Sequence, residues 1–229
     1  MESPGRYRYW PANTLYAASQ DWFSPYLSRP VRELLDAGPQ AQWLLRSPRN
    51  ADVCILFTDI RGFTDLSRAI RSDTLFRTVD ACIGRQIRII EHYDGYVDNF
   101  TGDGLMAIFE GPQMADNACR CALEVVTRAL PAVRYGETAL APIGAGLHRG
   151  DVAMGTLGCE SRRTYTAIGD TVNWAARLTG FARGQDVVIS ERLRGALTAE
   201  IAERFAPVQT DQGRADIDAV VPVYRSRRS

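Results

Sequence analysis

The chain of 229 residues contains no lysine, because all 27 residues in its Lys+Arg count are arginine. Any role that needs a compact primary ammonium must therefore pass to arginine or be dropped. Net charge is also missing: 27 acidic side chains balance the 27 arginines, which argues against a nucleic-acid partner held mainly through phosphates. No apolar run approaches the ~18 residues that a membrane span requires. Arg6 and Arg8 are followed by no apolar core region, so no secretion signal is expected. The five cysteines (Cys54, Cys82, Cys119, Cys121 and Cys159) lack CxxC spacing, which speaks against zinc. They are expected as reduced core thiols of a cytoplasmic protein.

What is present divides into two textures. Residues 1–50 are dense in aromatics, with Tyr7, Tyr9, Trp10, Tyr16, Trp22, Phe23, Tyr26 and Trp43 interrupted by six prolines. This extension is expected to pack on its own domain or on a partner chain. Residues 51–229 carry a regular alternation of strands and helices and are read as one domain. A buried strand is expected over Asp52 to Thr58. A helix follows from about Ser72 to Tyr93, with Phe76, Val79, Ile83, Ile87 and Ile90 as its apolar stripe.

Next come hairpin strands at about 96–101 and 104–109, and a helix over 114–130 stopped by Pro131. Strands are expected at 143–148 and 151–157, joined by a turn at Arg149-Gly150, and another over Thr164 to Ile168. A helix over Asp170 to Phe181, a strand over Asp186 to Ile189, a helix from Glu191 and a last strand over Val220 to Tyr224 complete the pattern. An α+β fold follows, a mixed, mainly antiparallel sheet covered by helices.

Two carboxylates stand out. Asp59 ends an apolar strand and is followed by Ile60-Arg61-Gly62-Phe63-Thr64, a turn into a helix. Asp103 sits in Gly102-Asp103-Gly104 at a hairpin tip. Alone, the first reads as a helix cap and the second as a tight turn. A third stretch, Gly169-Asp170-Thr171-Val172-Asn173-Trp174-Ala175-Ala176-Arg177, sets Asn173 and Arg177 four apart on one helix face.

Together, in this order, the three stretches resemble the signature segments of class III nucleotidyl cyclases, over about Val53 to Tyr224. The resemblance implies a ferredoxin-like βαββαβ core with extra strands, working as a head-to-tail homodimer with shared active sites. It implies that Asp59, Asp103 and the carbonyl of Ile60 bind two divalent cations, Mn2+ or Mg2+. It also assigns Arg177 to the α-phosphoryl group, Asn173 to the ribose, and Arg61, Gly62, Phe63 and Thr64 to the phosphates. A cyclase-like domain that only binds nucleotide is the non-catalytic alternative, and such domains typically lose one of these four side chains.

The base-reading positions depart from the purine cyclases of that family. Asn99 stands four residues before Asp103, where a lysine or glutamate is usual, and the partner position is Thr166. The family's C-terminal phosphate lysine is absent too, leaving Arg214 as a weak candidate. Tyr93-x-x-x-Val97-x-Asn99-x-x-Gly102 resembles the pattern of pyrimidine cyclases in the Pycsar anti-phage system. Val97 and Asn99 are expected on one strand face, with Tyr93 beside them. That resemblance implies a pyrimidine nucleoside triphosphate substrate, CTP before UTP. It also implies a cyclic product read by a separate cyclic-nucleotide-binding effector.

Overall fold

The computed structural model describes residues 24–38, 44–45, 47–129, 142–208 and 223–226. Eight strands form one sheet: β1 (Arg49–Ile60), β2 (Tyr96–Phe100), β3 (Leu105–Phe109), β4 (Ile143–Cys159), β5 (Arg162–Ile168), β6 (Val187–Ser190), β7 (Phe205–Pro207) and β8 (Val223–Ser226). The helices are α1 (Arg29–Asp36), α2 (Phe63–Ala69), α3 (Ser72–His92), α4 (Met114–Arg128), α5 (Asp170–Phe181), α6 (Glu191–Arg194) and α7 (Ala199–Ala202). The strand order is β2-β3-β1-β4-β6-β8-β7, with β5 also paired to β4. All pairings are antiparallel except β4 with β6. The run β1-α3-β2-β3-α4-β4 is the expected ferredoxin-like core.

Strand alternation divides the core into two faces. On the first, Cys54, Leu56 and Ile60 of β1 meet Cys82 and Ile90 of α3 and Ala118, Ala122 and Val125 of α4. On the second, Val53 and Ile55 meet Tyr96, Met106 and Ile108, the β5 residues Tyr165 and Ala167, and Ala175 of α5. Four cysteines are buried and free, and Cys159 is exposed at a turn. The described part of the N-terminal extension packs on the second face through Val31, while Arg29 donates to the carbonyl of Asp94 at 3.0 Å. Its aromatics up to Phe23, with Trp43, lie outside the described residues, as does Arg214.

Four expectations change. Arg149 and Gly150 make no turn: they pair with Cys54 and Val53 inside one continuous β4, and Arg149 clamps Asp52 at 2.6 Å. The long partner strand carries the register straight through a dipeptide that looks like a turn. The hairpin falls at Cys159–Arg162 instead. The α3 stripe is rotated, with Cys82, Gln86 and Ile90 buried and Phe76 74% exposed. An extra short helix, α2, follows the Asp59 turn directly. The last described strand is Val223–Ser226, and residues 220–222 lie outside the described residues.

Candidate active site

Asp59 is the penultimate residue of β1 and lies on the second face, because Thr58 and Ile60 point into the first. Asp103 occupies the turn between β2 and β3. Gly104 is what lets that turn close on β1: a Cβ there would sit 1.8 Å from the Thr58 carbonyl. The hairpin tip is thereby pressed against the end of β1, and Asp103 comes beside Asp59 and the amide of Ile60. Burial, and after it the neighbouring Asp59, push the Asp103 carboxyl up to about 6. Two carboxyl groups held this close are a poor structural device and a good cation site. Behind them Thr58, buried, donates to Gln86 at 2.7 Å and accepts from the amide of Leu105 at 3.3 Å.

The turn after Asp59 uses part of its polar capacity internally. The Arg61 amide donates to the Pro142 carbonyl at 3.0 Å. Its guanidinium folds across Gly144, meeting Asp59 at 3.1 Å and the Thr179 carbonyl at 2.6 Å. Arg61 is therefore a strut between β1 and the end of α5 rather than an outward phosphate arm. Gly62, at φ +68°, starts α2, whose first-turn amides belong to Phe63 and Thr64.

α5 lies on the second face. Gly146 permits this approach, since a Cβ there would fall 2.1 Å from the Thr179 amide nitrogen. At its start Thr171 is buried and donates to the Asp151 carbonyl at 2.8 Å. Thr171, Ala175, Leu178 and Thr179 face inward, and Asn173 and Arg177 are exposed. The guanidinium of Arg177 sits 5.6 Å from the Trp174 ring centroid. Both side chains of the predicted pair are thus presented outward from one protomer.

The four base-reading candidates do not form one group: Tyr93 and Val97 lie on the first face, apart from Asn99 and Thr166. A β-bulge between Val97 and Asn99 breaks the alternation of β2. Val97 pairs with Ala107 on the first face, whereas Asn99 pairs with Met106, which packs on the second. The expectation that they share a face is wrong, because Asp98 is the extra residue. Tyr93 also belongs to the first face, where its hydroxyl donates to Glu124 of α4 at 2.9 Å. Asn99 is exposed, its Oδ1 accepting from the Phe100 amide at 2.9 Å. Thr166 donates to Asp98 Oδ2 at 2.6 Å. β5 is four strands from β2 in the sheet order, so the β4–β5 ribbon must curl over the second face to make this contact.

Residues 45–217 match the family described as the adenylate and guanylate cyclase catalytic domain. The chain belongs to this family. It is 37% identical over 153 residues to an adenylate cyclase of Anabaena cylindrica, covering 60% of this chain and 29% of that protein. It is 30% identical over 204 residues to adenylate cyclase 1 of Rhizobium meliloti, covering 82% and 29%. The cyclase domain thus spans under a third of the length of these relatives. Among solved structures, a bacterial light-regulated adenylyl cyclase superposes with TM-score 0.77 at 25% identity, covering 93% of this chain and 62% of that one. The adenylyl cyclase CyaB from P. aeruginosa superposes at 0.66 and 24% identity, covering 80% and 97%.

Within the cyclase domain the donor set suits a hard divalent cation. Asp59 and Asp103 supply two carboxylates, and no group of three or more His, Cys, Asp or Glu side chains forms a metal cluster among the described residues. That is the pattern of a Mg2+-type site completed by a backbone carbonyl and by substrate phosphates. Asp98 escaped the sequence reading because strict alternation hid the bulge. One oxygen of its carboxylate is taken by Thr166; the other, Oδ1, is buried without a hydrogen-bond partner among the described residues. Asp98 also lines a cavity of about 400 Å³ between α1 and the β4–β5 ribbon, with Val31, Leu35 and Tyr165.

Proposed function

We propose that the protein is a homodimeric nucleotidyl cyclase that converts a pyrimidine nucleoside triphosphate, CTP before UTP, into the 3′,5′-cyclic nucleotide and pyrophosphate. The observation that carries the cyclase reading is the contact between Asp59 and Asp103, with a carboxyl pushed up to about 6. Asp59, Asp103 and the Ile60 carbonyl hold two divalent cations, Mg2+ or Mn2+. When bound, these cations lower the pKa of the ribose 3′-hydroxyl and neutralise the triphosphate. The 3′-hydroxyl gives its proton to solvent, its oxygen bonds to the α-phosphorus as the α,β-bridging bond breaks, and pyrophosphate leaves with that electron pair.

Arg177 neutralises charge developing on the α-phosphoryl oxygens, and Asn173 orients the ribose. Both are exposed in one protomer, so in this reading they serve the carboxylate pair of a second copy. Phe76, Phe100, Leu157 and Ile168, exposed in the single chain, give such a partner apolar surface to cover. The amides of Gly62, Phe63 and Thr64 lie beside the phosphates.

The pyrimidine preference rests on Asn99 in place of lysine, in a chain without lysine, and on the Tyr93-to-Gly102 pattern. Tyr93 supports it through that pattern alone, since its hydroxyl is engaged by Glu124. Production of a cytoplasmic anti-phage messenger, read by a separate effector, goes with the same pattern. Adenylate cyclase is the second reading, favoured by the names of the relatives. Incubating the protein with manganese and each of CTP, UTP, ATP and GTP tests both. Cyclic CMP as the main product is expected. Dominant cyclic AMP or cyclic GMP overturns the pyrimidine reading, and no product from any substrate overturns the cyclase.

A further inference from the structure

The bulge in β2 brings Asn99 onto the face that Asp98 already occupies. Alternation from Tyr96 turns the Asp98 carboxylate toward the second face, where it meets Thr166 at 2.6 Å. An ionised carboxylate only accepts hydrogen bonds, so the proton in this contact belongs to the Thr166 hydroxyl. Burial pushes the Asp98 carboxyl up to about 6, while the Thr166 bond works in the opposite direction. Above that pH Asp98 is acceptor-only. Thr166 has then committed its single proton, and what it offers to any ligand is oxygen lone pairs.

The neighbouring side chain is fixed in the opposite sense. Asn99 lies on the same face as Met106, and its Oδ1 is held by the Phe100 amide. What it presents outward is its NH2, a donor. The bulge thus puts Asn99, a donor, on the face of Asp98, whose partner Thr166 is the acceptor, within the hairpin that carries Asp103.

We propose that Asp98 is a specificity-positioning residue. By holding the Thr166 proton it sets Thr166 as acceptor beside Asn99 as donor, a pair that fits an amino-bearing base edge. Cytosine presents an amine at N4 next to an acceptor at N3, and adenine an amine at N6 next to an acceptor at N1. Both match. Uracil and guanine present a keto oxygen next to an N–H, and mismatch at both positions. The inference rests on the reading above that Asn99 and Thr166 face the base. It adds that the chain selects amino over keto bases, and that Asp98, which touches no substrate, sets the choice.

The test is binding of α,β-methylene triphosphates of cytidine, uridine, adenosine and guanosine, which cannot cyclise, to the full chain with manganese. Turnover of the parent nucleotides is measured alongside. Within a ring size, the wild-type chain is expected to favour the amino base by about tenfold or more, because mismatched polar groups are left unpaired. In Asp98→Ala no side chain is left at that position to accept from Thr166, so its proton is released. The preference should then narrow to roughly threefold, through tighter binding and lower KM of the keto nucleotide more than through kcat.

Thr166→Val should narrow it as well, by weakening the amino nucleotide. It serves as the decisive variant if Asp98→Ala does not fold, as judged by its melting transition. A keto preference in the wild-type chain, or equal weakening of both bases in the variants, overturns the proposal. Base-selective binding without turnover overturns the cyclase reading and leaves this inference standing.

Discussion

Thr58 and Gln86 meet across the first face of the sheet, hydroxyl to amide oxygen at 2.7 Å, with both side chains buried. The contact joins α3 to β1 one residue before Asp59, and Thr58 also receives the Leu105 amide of β3. Three elements are therefore tied together under the carboxylate pair. Thr58→Val keeps the shape and leaves the Gln86 amide oxygen without its donor, which is expected to cost about 1–3 kcal/mol. Thermal or urea unfolding checks this. Gln86→Leu is expected to cost less, because Thr58 keeps its bond to Leu105.

Gly104 makes a different demand. A methyl group there would overlap the Thr58 carbonyl, so Gly104→Ala must move the hairpin tip away from β1. Because Asp103 rides on that tip, the carboxylates separate. A displacement of about 1 Å at a reacting centre can cost roughly a hundredfold in rate, and that is the loss expected in kcat/KM. Cyclic-nucleotide production, compared with the melting temperature, separates this geometric effect from simple unfolding.

The Asp103 carboxyl, pushed up to about 6, sets a pH dependence. Its folded value lies above its ordinary one of 3.8, so the folded state holds the proton more tightly. The stability this supplies is fully present below about pH 4 and is lost as pH rises through about 6. Cation binding has the opposite sign, since it needs the carboxylate. The stabilisation by manganese in thermal unfolding should therefore be full above pH 7, shrink through 6 and vanish near 4. Asp59→Asn removes the repelling neighbour, and any pH dependence that remains should move to lower pH.

Much of the site was legible because its signals are local. Asp59 ends an apolar strand, Asp103 sits between two glycines, and Asn173 and Arg177 keep helical spacing, while their roles are what the family resemblance implies. What stayed hidden depends on neighbours. Arg149-Gly150 looks like a turn until the register of β1 is known. Asp98 looks like one alternating residue among others until the bulge shifts Asn99 to its face. Arg61 looks like the source of a phosphate-facing amide until the Pro142 carbonyl takes its N–H. In each case a contact distant in sequence overrides a correct local signal.

The central claim is a catalytic site divided between two chains, and mixing two inactive variants tests it most directly. Asp59→Ala lacks a proposed metal carboxylate and Arg177→Ala the proposed phosphoryl-neutralising cation, so each alone is expected to be inactive. In randomly reassorted dimers half are mixed and each holds one intact site, which predicts about a quarter of wild-type cyclic-nucleotide production. A mixture as inactive as its separate components would contradict the account.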